Sequence, residues 1–187
     1  TKKLNSLSPT ITPPQKLNKG FTLIELLVAL SVFSLLLMLA IPSFRTMLQN
    51  SRMNSSSDAL VSALNYARSI ALDNGLNVKV CPIGPLNSTT CGTNWTAGWI
   101  VTTQPSAGAE TLIQSKQNST ADTSISSNVG SIIFNNHGLA SAQSNFTLCD
   151  PRGSAFGQSV EVMATGFIQA GNTQGQAVWN NTALVCP

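Results

Sequence analysis

Charge is scarce in this chain: Asp, Glu, Lys and Arg make up 9% of its 187 residues. A cytosolic enzyme surface is normally richer in Lys and Glu, and so is a charged disordered chain. Histidine is nearly missing, with His137 alone in the turn-like stretch NNHG. No Gly-x-Ser-x-Gly elbow frames a serine nucleophile. No Gly-rich loop suits a phosphate, and no pair of carboxylates is arranged for acid–base work. His137 therefore reads as structural or solvated, and neither enzyme activity nor a cofactor is expected. Cys-x-x-Cys is also absent, which removes the usual zinc spacing, and no metal site is expected.

A positive field is missing where it would matter. The formal charge is +3, but Lys2, Lys3, Lys16 and Lys19 all precede Phe21. From residue 45 onward, Arg45, Arg52, Arg68, Lys79, Lys116 and Arg152 are matched by Asp58, Asp73, Glu110, Asp122, Asp150 and Glu161. Nucleic-acid affinity rests largely on Lys and Arg neutralising phosphates, so the neutral part disfavours DNA as a partner. The basic residues sit on the side of a membrane where positive charge stays behind.

The four cysteines, Cys81, Cys91, Cys149 and Cys186, all follow the apolar run described next. An even count in a part that reaches an oxidising compartment fits two disulfides. Cys81–Cys91 would close a short loop and Cys149–Cys186 would tie the C-terminus back; the order of the cysteines permits two other connectivities.

What the chain does have is KGFTLIELLVALSVFSLLLMLAIPSF, residues 19–44. Between Phe21 and Ile41 only Thr22, Glu25, Ser31 and Ser34 are not apolar. As a helix, this run would span about 30 Å, the hydrocarbon thickness of a bilayer. A secretory signal would be shorter and followed by a small-x-small cleavage site, a plain anchor gains nothing from Glu25, and a core helix needs no Lys-rich leader. A carboxylate within a membrane costs about 2.5–3.5 kcal/mol at the centre and needs a partner. Cleavage between Gly20 and Phe21 would create one, an α-amino group four residues from Glu25.

KGFTLIE followed by this helix resembles the class III signal of type IV pilins and type II secretion pseudopilins. The resemblance implies cleavage after Gly20 by a prepilin peptidase, methylation of the new N-terminal Phe21, and a docking role for Glu25. It places Pro42 where such pilins carry a helix-bending proline. ALNYARSIALDNGLNVKVCP, CGTNWTAGWIV, FNNHGLA and FTLCDPRG are similar to the GspH/FimT branch of minor pilins and pseudopilins, over nearly all of residues 20–166. Some members carry C-terminal arginines tied to DNA. Here GFIQAGN occupies 166–172 and no Lys or Arg follows Arg152.

Leu60, Ala63, Leu64, Ala67, Ile70 and Ala71 recur at helical spacing. The pattern predicts one helix from Phe21 to Asp73, bent at Pro42 and stopped at Gly75, with a transmembrane first half and an amphipathic second half. Strands are expected at 76–81, 98–103, 111–115, 131–135, 145–149, 158–164, 166–170 and 176–180, separated by loops that include 83–97 and 104–130. The expected fold class is α+β, the long helix packed on antiparallel sheet, and the resemblance implies that it is pilin-like. The resemblance implies a division into a leader, 1–20, a transmembrane or filament-core helix, 21–44, and a periplasmic or extracellular domain, 45–187. Trp95 and Trp99 are expected to pack against the Cys81–Cys91 loop, and Asp150 with Arg152 to form a local ion pair or Asx-type turn. The resemblance implies a filament subunit of the bacterial inner membrane, with other pilins or pseudopilins, the peptidase and inner-membrane lipid as partners. A minor pilin that primes or caps a pilus, a secretion pseudopilin and a pilus-tip DNA-binding subunit are the functions in contention.

Overall fold

The computed structural model describes residues 20–85, 89–104, 108–117 and 123–186, so the leader expected at 1–20 lies outside it except for Gly20. Two compact units divide at residue 43, Thr1–Ser43 and Phe44–Pro187.

One helix, α1 (Leu23–Asn74), runs through that division with Pro42 inside it. It starts two residues later than the periodicity suggests because Thr22 stands outside as its cap: the Glu25 amide donates to Thr22 Oγ1 at 3.2 Å. It ends where Gly75 takes φ +63°, the left-handed conformation that suits glycine after a helix. The Asn74 side chain covers one last-turn carbonyl, donating to Ile70 O at 3.1 Å.

In the folded unit, the buried helical stripe is Met53, Ser57, Leu60, Ala63, Leu64, Ala67 and Ala71. Its three- and four-residue steps keep these side chains on one face. Ile70, expected in the stripe, is only partly buried and packs at the edge of the core.

Eight strands follow: β1 (Asn77–Pro82), β2 (Gly98–Gln104), β3 (Leu112–Gln117), β4 (Ser124–Ser127), β5 (Ile132–Phe134), β6 (Ser144–Cys149), β7 (Gln158–Val162) and β8 (Ile168–Ala170). They form two antiparallel sheets, ordered β3-β2-β1-β5 and β4-β6-β7-β8. Period-two alternation sends Val78 and Val80 of the first sheet, and Phe146, Leu148, Val160 and Val162 of the second, into one core with the helical stripe. Each buried Leu, Val or Phe side chain contributes about 1.5–3 kcal/mol by leaving water.

Two sequence expectations need correction. β4 falls in a Ser- and Thr-rich stretch read as loop; only Ile125 enters the core, and its pairing with β6 makes it a strand. No strand forms at 176–180. Gln176 makes one bridge to Ala183, and the chain reverses as the Asn181 amide donates to Ala177 O at 2.8 Å. Trp95 packs edge-on against Phe146 of the second sheet, ring centroids 4.9 Å apart. Its indole N–H donates to Val129 O at 2.9 Å. Trp99 lies opposite Pro82 and so does neighbour Cys81.

Disulfides join Cys81 to Cys91 and Cys149 to Cys186. The first closes a loop so tight that a side chain on Gly92 would sit 2.2 Å from Ile83 O.

Candidate assembly site

The N-terminal segment holds the one helix among the described residues that is long and apolar enough to cross a membrane. Every residue from Gly20 to Leu48 is exposed in the single chain. A contiguous apolar surface of this extent marks contact with lipid or with other protein.

Its polar groups are nearly all accounted for locally. Ser31 Oγ donates to Val28 O and Ser34 Oγ to Ser31 O, each at 2.8 Å. Both hydroxyls thus carry their own hydrogen-bond partner into an apolar medium, where an unsatisfied group is costly.

Glu25 is the exception. Thr22-x-x-Glu25 has the spacing of a capping box, but only the threonine half is made. Among the described residues nothing donates to the Glu25 carboxylate. Its place in the first turn is favourable for an anion, because the helix dipole presents its positive end there. Gly20 has nothing within 4 Å of where a Cβ would stand. Gly20, Phe21 and Glu25 therefore gather at one exposed helix start, with Pro42 near the other end of the apolar run. Thr22 was missed by the sequence reading, although the Thr-x-x-Glu spacing signals it.

His137 is exposed in a turn whose Asn135 side chain accepts from the His137 and Leu139 amides, each at 2.9 Å. A cavity of about 270 Å³ is lined by Gln169, Asn172, Thr173, Gln176 and Asn181 with small neighbours, and holds no titratable group. Among the described residues no three of His, Cys, Asp and Glu stand together as metal ligands.

Several cations of the folded unit have internal work. Arg68 Nε donates to Gly138 O at 3.0 Å. Lys79 Nζ contacts both Glu110 oxygens, at 2.7 and 2.8 Å. That bond holds the Glu110 carboxyl below its ordinary value of 4.5, against an opposing contribution from burial. Arg152 Nη2 lies 2.6 Å from Asp150 Oδ2, and the Arg152 amide donates to Asp150 Oδ1 at 2.9 Å. Ion pair and Asx turn are thus both made. Arg152 Nη1 also reaches Asn50 Oδ1 at 2.8 Å, and the guanidinium stacks over Phe156.

Glu161 is 3% exposed and among the described residues no ion pair reaches it; Gln143 Nε2 donates to one oxygen and Gln169 Nε2 to the other, each at 2.6 Å.

Comparison with known proteins matches residues 56–166 to the family described as type II transport protein GspH. Residues 15–41 match the prokaryotic N-terminal methylation motif. Among solved structures, the chain is similar to the type IV minor pilin FimU of Pseudomonas aeruginosa, with 17% identity and a TM-score of 0.54 over 67% of this chain and 96% of that one. It is also similar to the minor pseudopilin EpsH from the type 2 secretion system of Vibrio cholerae, with 9% identity and a TM-score of 0.49 over 64% and 95%. No curated protein matches significantly.

Proposed function

The chain belongs to the GspH family, a family of structural subunits rather than enzymes, and on that premise we propose that it is a minor pilin that helps prime or cap a type IV pilus. The observation that carries this reading is the lone Glu25 carboxylate in the first turn of an exposed apolar helix. In the proposed sequence of events, the peptidase cuts after Gly20 and Phe21 becomes the methylated N-terminus. Residues 21–44 hold the protein in the inner membrane with residues 45–187 in the periplasm. The helix then moves sideways from lipid into a filament, where the Phe21 amine of a neighbouring subunit neutralises Glu25. Because Thr22 and not Glu25 makes the helix cap, the carboxylate stays free for that neighbour.

Glu25→Ala is expected to leave cleavage and membrane insertion intact while filament incorporation fails; normal incorporation would show the docking role to be wrong. A second reading, a pseudopilin of type II secretion, is favoured by the family's own description. A deletion strain separates the two: loss of surface pili supports the pilus reading, and loss of exoprotein release with normal pili refutes it. A DNA-binding tip role is disfavoured because Arg68, Lys79 and Arg152 are held by internal partners. Micromolar, salt-sensitive gel-shift binding by the full chain would restore it.

A further inference from the structure

The two sheets have four edges, and the fold treats them unequally. At β5, the Ser141 amide donates to Ile133 O at 2.8 Å and Ser141 Oγ accepts from Ile133 N at 3.1 Å. At β4, Thr96 Oγ1 accepts from the Ile125 amide at 2.9 Å and donates to Ile125 O at 3.2 Å. β8 is only three residues long. β3 is six residues long and ends its sheet, and among the described residues no backbone hydrogen bond reaches its outer edge.

The phase of the ladder identifies the open groups. The Ile83 amide donates to Gly98 O at 3.0 Å, so Gly98 and alternate residues of β2 face β1. Trp99 and Val101 then face β3, and their partners Lys116 and Gln114 turn their backbone groups inward. Ser115, between them, directs its N–H and C=O away from the sheet.

Long edge strands are usually defended by proline, charge or a bulge. Here the strand has no proline and one charge, Lys116, and its register shift falls at the Leu112 end. Beside it lies an uncharged groove of about 310 Å³, lined by Ile113 and Gln114 of the strand and by Ser62 and Tyr66 of α1.

We propose that β3 is a docking edge that accepts an extended strand from a neighbouring filament subunit. The occupant is defined by chemistry. Only another extended backbone matches an alternating row of donors and acceptors, the groove takes a neutral or apolar side chain, and Lys116 favours an acid opposite. The proposal rests on the reading that the chain assembles with other pilins or pseudopilins.

Ser115→Pro tests it, because proline there removes only an outward N–H and edge strands tolerate it. Sheared filaments and membranes are compared for the wild type, S115A and S115P, with thermal melting of each purified full chain. The expected result is S115P at least about tenfold depleted from filaments at wild-type membrane level and melting temperature, with S115A unchanged. Recovery of S115P at the wild-type level overturns the proposal. If S115P does not accumulate, S62W, which fills the groove from an exposed helix position, decides by the same depletion. Wild type absent from every filament would overturn the assembly reading instead, and the proposal with it. A purified wild-type homodimer that S115P dissolves would make a second copy the occupant and also overturn it.

Discussion

Replacing Arg152 by alanine puts a number on the link between α1 and the second sheet. Arg152 and Asp150 are 14% and 4% exposed, so the pair is largely withdrawn from water. Alanine at 152 strands the carboxylate with one backbone donor, since the Arg152 amide bond to Asp150 Oδ1 survives. Breaking a buried pair by removing one partner costs about 3–5 kcal/mol. Asp150→Ala should cost less, about 1–3 kcal/mol, because the guanidinium keeps Asn50, Phe156 and access to water. The double variant should be more stable than R152A alone, since no unpaired charge remains. Urea titration of the oxidised full chain in detergent, followed by tryptophan fluorescence, gives the three values from midpoint shifts at constant slope. A cost for R152A below about 1 kcal/mol is what an exposed ion pair shows. It would refute the claim that burial makes this pair matter, as would D150A costing more than R152A.

Other expectations follow the same logic. Gly75→Ala should cost about 1 kcal/mol from its left-handed conformation alone, because nothing lies within 4 Å. Gly166→Ala should impair folding outright, since its Cβ would fall 1.8 Å from Gly138 O; melting temperature and yield report both. Opening Cys149–Cys186 by paired serine substitution should cost about 4 kcal/mol, and opening Cys81–Cys91 about 3, by chain entropy over separations of 37 and 10 residues. Glu110 titrates below 4.5 when folded, so its contribution is present above pH 4.5 and lost as pH falls through the lower folded value. Glu110→Gln should therefore flatten the loss of urea stability between neutral and acid pH.

The long helix was legible because its signals are local: an apolar run, a stripe at helical spacing and a glycine stop. Most strands announced themselves by β-branched residues in alternation. β4 did not, because Ser124-Ile125-Ser126-Ser127 carries one core residue and owes its conformation to a strand some twenty positions away. Gln176–Asn180 failed in the opposite sense: Val178 and Trp179 suggest a strand, but the tail turns back on itself and is pinned to Ser159 Oγ by the Val178 amide at 3.0 Å. The apolar first half of the helix could be read almost whole, Glu25 in its first turn included. The open edge of β3 could not, because an edge exists only once every other strand has found its neighbour.

Both disulfides close loops that begin after Asn74, so neither encloses any part of α1. The helix is joined to the sheets covalently only through the chain leaving at Gly75. A pull on its N-terminal end is therefore resisted first by contacts, among them the stripe from Met53 to Ala71 and the Asn50–Arg152, Asn54–Gln158 and Arg68–Gly138 hydrogen bonds. These contacts are strung along the helix between Asn50 and Ala71, so a load on it is shared among them. The oxidised sheets behave as a stiff handle, whose grip on the helix is set by packing and not by sulfur. Reducing agents should soften the handle and leave the grip in place.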